Sequence, residues 1–133
     1  MKIQLPELID RITISEIKIE KLKIPHLKEE LDAYQEALNE FVEKNIEIKQ
    51  EWFDRLKKVN TKIFELEFAV REIMDADDVW KAAEEKFGFA ELGRRVQIIS
   101  KFVVERANIK NEIAEQTGYG FKEVKTDYCG QKI

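Results

Sequence analysis

The sequence predicts an all-α fold, and three observations carry that prediction. Hydrophobic residues make up 44% of the chain and charged residues 38%, the balance of a helical bundle or coiled coil. From His26 to Phe87 there is neither glycine nor proline over 62 residues, and apolar side chains recur at intervals of three and four. The two prolines, Pro6 and Pro25, each stand at the head of a periodic segment, where a fixed φ suits a first helical turn and the missing N–H costs nothing. At 133 residues the expectation is one domain over residues 1–118, built from three to four helices, with an extended or mobile tail over 119–133.

The first helix is expected from about Glu7 to Lys23, with Leu8, Ile12, Ile19 and Leu22 at helical spacing and Ile9, Ile14 and Ile17 widening the stripe. Its isoleucines are β-branched and Ile12, Ile14, Ile17 and Ile19 also fit alternation, so a strand is the competing reading. The central segment has a seam of Leu27, Leu31, Tyr34, Leu38, Phe41, Asn45, Ile48, Trp52, Leu56, Val59, Ile63, Leu66, Val70 and Ile73, broken only by Asn45. Consecutive steps of four lead into Leu56, a stutter that loosens a heptad seam. The preserved spacing favours one long amphipathic helix to Met74, roughly 70 Å at ~1.5 Å per residue, which would need a partner helix to cover it. The other solution is a break between Lys44 and Gln50 that folds the segment into a helical hairpin.

Asp75-Ala76-Asp77-Asp78 signals a stop and restart, with Asp75 or Asp77 as N-cap. A short helix over Asp78–Phe87 follows, with Gly88 as its left-handed cap, and a last helix runs from about Ala90 to Gln116 before Gly118. Leu92, Val96, Ile99 and Val103 begin the core face of that helix.

Several function classes are disfavoured by composition. The net charge of −4 comes from 27 acidic and 23 basic residues, interspersed, so no basic face for nucleic acid is expected. One cysteine, Cys129, and one histidine, His26, cannot assemble a zinc site or a disulfide within the chain. No run approaches the ~18 apolar residues of a membrane span and the N-terminus lacks a signal core, so a reducing cytosol is the expected compartment.

Four sets of residues are candidates for function. Glu40-x-x-Glu43, 28 intervening residues and then Glu72-x-x-Asp75 resemble the acidic pattern of all-α nucleoside triphosphate pyrophosphohydrolases. That resemblance implies carboxylates on two helices holding Mg²⁺ against a triphosphate; ion pairing on a solvated helix face is the plainer explanation of the same residues, and it requires no metal or other cofactor. Arg106 and Lys110, one turn apart, could clamp an anion, while the neighbouring Glu91, Glu105 and Glu112 point to a salt-bridge lattice instead. Asn45 and Asn60 lie on or beside the seam, where polar residues set helix register. Trp52, Phe53, Phe64 and Phe68 are aromatic, and Phe53 and Phe68 lie off the main seam, leaving a second apolar strip for a partner helix.

Three segments, Glu7–Lys21, Leu56–Glu67 with Arg71, and Glu91–Arg95 leading to Glu105–Ile113, together resemble a family of small uncharacterised helical proteins of bacteria and their phages, also found appended to glycosyltransferases. Asp10, Glu16, Lys18, Glu20, Asn60, Glu67, Arg71, Arg106 and Lys110 match its pattern; Phe64 departs from it, standing where tryptophan is usual. The resemblance implies no activity. Glu16, Asn60, Glu67, Arg71, Arg106 and Lys110 are the candidates for binding a small anionic ligand. The reading drawn from the sequence is a self-associating or partner-binding helical module, a homodimer packed along the central seam, with the magnesium-dependent pyrophosphohydrolase as its alternative.

Overall fold

The structure is a computed structural model that describes residues 3–120, in which the chain forms five helices and no strand. They are α1 (Leu5–Leu22), α2 (Leu27–Glu43), α3 (Gln50–Met74), α4 (Val79–Lys86) and α5 (Phe89–Thr117). The tail expected over 119–133 lies, beyond Gly120, outside the described residues, as does Cys129. Among the described residues no helix is long and apolar enough to cross a membrane.

The isoleucine-rich first segment is the helical one, not the strand that alternation also allowed. Pro6 sits in its first turn, Glu7 lies near the positive end of its dipole, and Lys21 near the negative end. It closes at Lys23, whose left-handed backbone (φ 52°, ψ 45°) returns an N–H to the Ile19 carbonyl. Tertiary packing outweighs the modest helix propensity of isoleucine here, because α1 is the helix around which the others assemble. It packs against α2, α3 and α5, and nine of its 18 residues are buried, polar Asp10, Thr13 and Ser15 among them. A helix buried on more than one face is a core element, not a surface one.

The central segment is a hairpin. The preserved seam favoured continuity, but α2 stops at Glu43 and α3 starts at Gln50. The break is made by Asn45, whose φ of 63° places it in the left-handed region, with the N–H groups of Lys44 and Asn45 closing onto the carbonyls of Phe41 and Val42. Asparagine adopts that conformation more readily than other residues with a Cβ. The residue that looked like a polar seam position is the one that ends the helix. The spacing survives the break because Ile46 and Ile48, in the connection, turn inward and pack on the core.

After this reversal α3 runs alongside α1 in the same direction and α5 returns antiparallel to both. Leu5 and Ile9 of α1, Trp52, Leu56, Val59 and Ile63 of α3, and Ile109 and Ile113 of α5 form the core. Leu38 and Phe41 of α2 close it from the other side of α1, and Tyr119 packs edge-on against Phe41 at 5.4 Å. The turn before α4 is capped by Asp78, which accepts from the Lys81 N–H at 3.1 Å, instead of by Asp75 or Asp77. Gly88 has φ 77° and ψ 159°, a backbone that essentially only glycine adopts, and so joins α4 directly to α5.

Asn45→Val is expected to lower stability by about 1–2 kcal/mol, the cost of forcing a β-branched residue into the left-handed region. Asn45→Gly should stay within about 0.5 kcal/mol of the parent. Urea titrations of both variants check this, and an unchanged midpoint for Asn45→Val would contradict the placement of the turn.

Candidate functional site

The carboxylate of Asp10, on α1, is fully buried. A lone buried carboxylate is strongly disfavoured, so its partners must neutralise and hydrogen-bond it. Arg106 of α5 donates from Nε to both carboxylate oxygens at 3.0 Å and from Nη2 to Oδ2. Asn60 of α3 donates from Nδ2 to Asp10 Oδ1 at 2.8 Å and to Thr13 Oγ1 at 2.9 Å. Thr13 in turn donates its hydroxyl to the Asp10 carbonyl at 2.7 Å. Three helices thus converge on one carboxylate.

One turn back along α1, Glu7 accepts from Lys110 Nζ at 2.6 Å and from Arg11 Nε at 3.2 Å. Glu7 and Asp10 are separated by three residues, Arg106 and Lys110 by four, so on antiparallel helices the pairs form two successive rungs. Arg106 and Lys110 do clamp anions, and among those anions are α1's own side chains. Burial alone would raise the Glu7 pKa, but the Lys110 ammonium and then the Arg11 guanidinium outweigh it, and the carboxyl is held below its usual range.

Beside this network α1, α3 and α5, with Ile24 just before α2 and Leu27 at its start, line a partly open cavity of about 600 Å³. Its walls are apolar, with Ile14 and Ile17 of α1, Phe64 and Phe68 of α3, and Val103 of α5. Its polar groups are Lys18, Asn60, Glu67, Arg71 and Arg106. Four of the six residues singled out for ligand binding, Asn60, Glu67, Arg71 and Arg106, therefore share one cavity. The other two do not line it: Glu16 lies 3.8 Å from Lys57 of α3, and Lys110 pairs with Glu7. Arg71 pairs with Glu67 at 4.0 Å at the cavity's edge, and Lys18 has no ion pair among the described residues. Chemically the cavity suits an apolar group flanked by negative charge.

The four carboxylates of the pyrophosphohydrolase pattern are not brought together. Glu40 and Glu43 end α2, next to the start of α3, whereas Glu72 and Asp75 lie at its far end, some 20 residues or roughly 30 Å away along the helix at ~1.5 Å per residue. Glu72 is paired with Lys86 of α4. Among the described residues no cluster of three or more histidine, cysteine, aspartate or glutamate side chains could hold a metal ion.

The aromatic strip divides. Trp52 is 1% exposed in the core, and Phe53 packs against that core from α3. Phe64 lines the cavity and touches Phe68, at a ring separation of 6.2 Å, and only Phe68 is open to solvent, at 55%. Asn60, placed beside the seam as a register-setting residue, spends its amide within the chain.

Sequence reasoning gave Asp10 no role and missed Glu7 and Thr13. The available signal was Asp10 set among Leu8, Ile9 and Ile12, a charge inside the apolar stripe of a helix with apolar residues on more than one face. No protein-family model, curated protein or solved structure matches the chain.

Because the Glu7 carboxyl is held below its ordinary pKa, its contribution is full above the unfolded-state value and is lost as pH falls through the lower folded-state value. Stability measured from pH 7 down to pH 2 should decline through the acid range, and Glu7→Gln should flatten that decline. An identical pH dependence in the variant would contradict the pairing with Lys110.

Proposed function

We propose that the chain is a helical association module without catalytic activity, and that it pairs with a second copy through the end of the molecule where α3, α4 and α5 meet. One observation carries this reading. Of the seven large apolar side chains exposed among the described residues, five belong to the second half of α3, to α4 or to the first turns of α5, namely Phe68, Met74, Trp80, Phe89 and Val96, and a sixth, Leu22, ends α1. Apolar groups scattered singly over a surface need no explanation, but a cluster of them marks a site of association.

The fold supplies the cause. α1 ends at Leu22, level with about Arg94 by the Asp10–Arg106 pairing, so the first residues of α5 extend beyond it. All buried residues of α5 lie between Ala107 and Ala114, and those of α3 between Trp52 and Ile63, with Ile73 the one exception. The stripe that should be core on the rest of α5, Val96, Ile99 and Val103, is exposed or half-buried. The same pattern that predicted a core face for this helix thus remains unfilled by the chain itself, which is the situation in which a partner surface lowers the free energy. The seam dimer read from the sequence moves accordingly: Asn45 ends a helix, Asn60 is used internally, and Phe53 packs inward, leaving Phe68 as the exposed member of the aromatic set Trp52, Phe53, Phe64 and Phe68.

Light scattering or sedimentation over a concentration series should give the mass of a dimer at micromolar concentration. Phe68→Ser with Met74→Ser should shift the distribution to monomer with unchanged far-ultraviolet circular dichroism, since both side chains are exposed in the folded chain. A dimer indifferent to these substitutions, or a wild-type chain that is monomeric throughout, would overturn the assignment.

A further inference from the structure

We infer that the end of the bundle formed by the second half of α3, α4 and the first half of α5 unfolds and refolds as a cooperative unit of its own while the rest of the fold holds. This concerns the single chain and stands independently of the association reading above.

Burial divides the molecule into two parts. The first half of α3 buries Trp52, Leu56, Val59, Asn60 and Ile63, and the second half of α5 buries Ala107, Ile109, Lys110, Ile113 and Ala114. Between Ile63 and Ala107 only Ile73 and Ala83 are buried. Both polar rungs, Asp10 with Arg106 and Asn60, and Glu7 with Lys110, hold the first part together. The free energy of opening a segment follows the apolar surface and the buried hydrogen bonds that the opening gives up, so the second part has far less to lose.

The packing accounts for the difference. The cavity lies along the last turns of α1, with Phe64 and Phe68 of α3 and Val103 of α5 in its facing walls. Side chains that face a cavity lack partner atoms on that side and forfeit the dispersion contacts that a filled core supplies. Among the five helices α4 packs only on α3 and α5 and does not reach α1 or α2. Besides Ile73 and Ala83, this end is joined by the ion pair of Lys86 with Glu72, by the Arg95 guanidinium over the Phe87 ring at 4.1 Å, and by the edge contact of Trp80 with Phe89 at 5.3 Å. Lys86 and Glu72 are both well exposed, and an ion pair in that setting adds little.

Hydrogen exchange followed by mass spectrometry over a urea series, at dilutions where rates no longer vary with chain concentration, tests the division. Amides of residues 68–100 should exchange roughly a hundredfold or more faster than those of 52–63 and 109–114, with a urea dependence that is measurable but smaller than the core's, as for a partial opening. A core substitution then separates a cooperative unit from one all-or-none fold. Ile113→Val destabilises the closed and the partly open molecule alike, so it should quicken exchange over 52–63 and 109–114 about threefold or more and leave 68–100 unchanged. In a chain that unfolds all at once, both sets would quicken together. Equal rates and urea slopes in the two sets, a parallel response to Ile113→Val, or exchange over 68–100 with no urea dependence would overturn the inference. Light scattering on the same samples reads association separately: a chain monomeric throughout that shows the two-part exchange pattern would sink the association reading and leave this one standing.

Discussion

The burial of one negative charge organises this molecule. Asp10 lies in the first half of α1 with no exposure to water, and a carboxylate in that position is tolerable only if cation and hydrogen-bond donors reach it from fixed directions. Arg106 and Asn60 do so from α5 and α3, which sets the rotation and the register of both helices against α1. Apolar packing alone would leave such registers free to slip by a turn, because leucine and isoleucine can exchange partners at little cost. A guanidinium satisfied by one carboxylate cannot slip in this way. The second rung, Glu7 with Lys110, repeats the constraint one turn along.

The same constraint shapes the surface. Once Asp10 is matched to Arg106, the antiparallel pair α1 and α5 is aligned so that α1 finishes at Leu22, level with about Arg94 near the start of α5. The cavity lies between the helices along the last turns of α1, with Ile14, Ile17 and Lys18 in its wall, and Leu22, Phe68, Met74, Trp80, Phe89 and Val96 meet solvent. The polar network closes the lower half of the bundle and the apolar groove opens the upper half, with Arg106 and Asn60 belonging to both. The surface assigned to association is thus a consequence of internal register.

Much of the fold was legible in the sequence because it depends on local rules: proline at helix starts, a glycine at 118 to end the last helix, an acidic restart after Met74, and apolar periodicity throughout. What escaped was set by tertiary geometry. Asn45 occupies a seam position by count and a helix terminus by conformation, and spacing cannot distinguish the two when the connection keeps apolar residues at the same interval. The importance of α1 was hidden because its isoleucines read as a modest amphipathic stripe, whereas a stripe flanked by further apolar residues is the mark of a helix covered on more than one side. Arg106 and Lys110 were recognisable as an anion clamp, but Asp10 and Glu7 lie about a hundred residues away in the chain, and a single sequence does not pair residues over that distance. The carboxylates Glu40, Glu43, Glu72 and Asp75 illustrate the converse: a spacing can match a pattern while the hairpin holds its halves apart.

A double-mutant cycle between Asp10 and Arg106, read by urea unfolding of Asp10→Asn, Arg106→Met and the double variant, tests the organising role of the buried charge most directly. Arg106→Met should cost about 3–5 kcal/mol, because it leaves a carboxylate buried without its cation. The double variant should cost far less than the sum of the single ones, with a coupling energy of about 2 kcal/mol or more. Additive losses would mean that the two side chains do not depend on each other, and that register in this bundle is set by apolar packing alone.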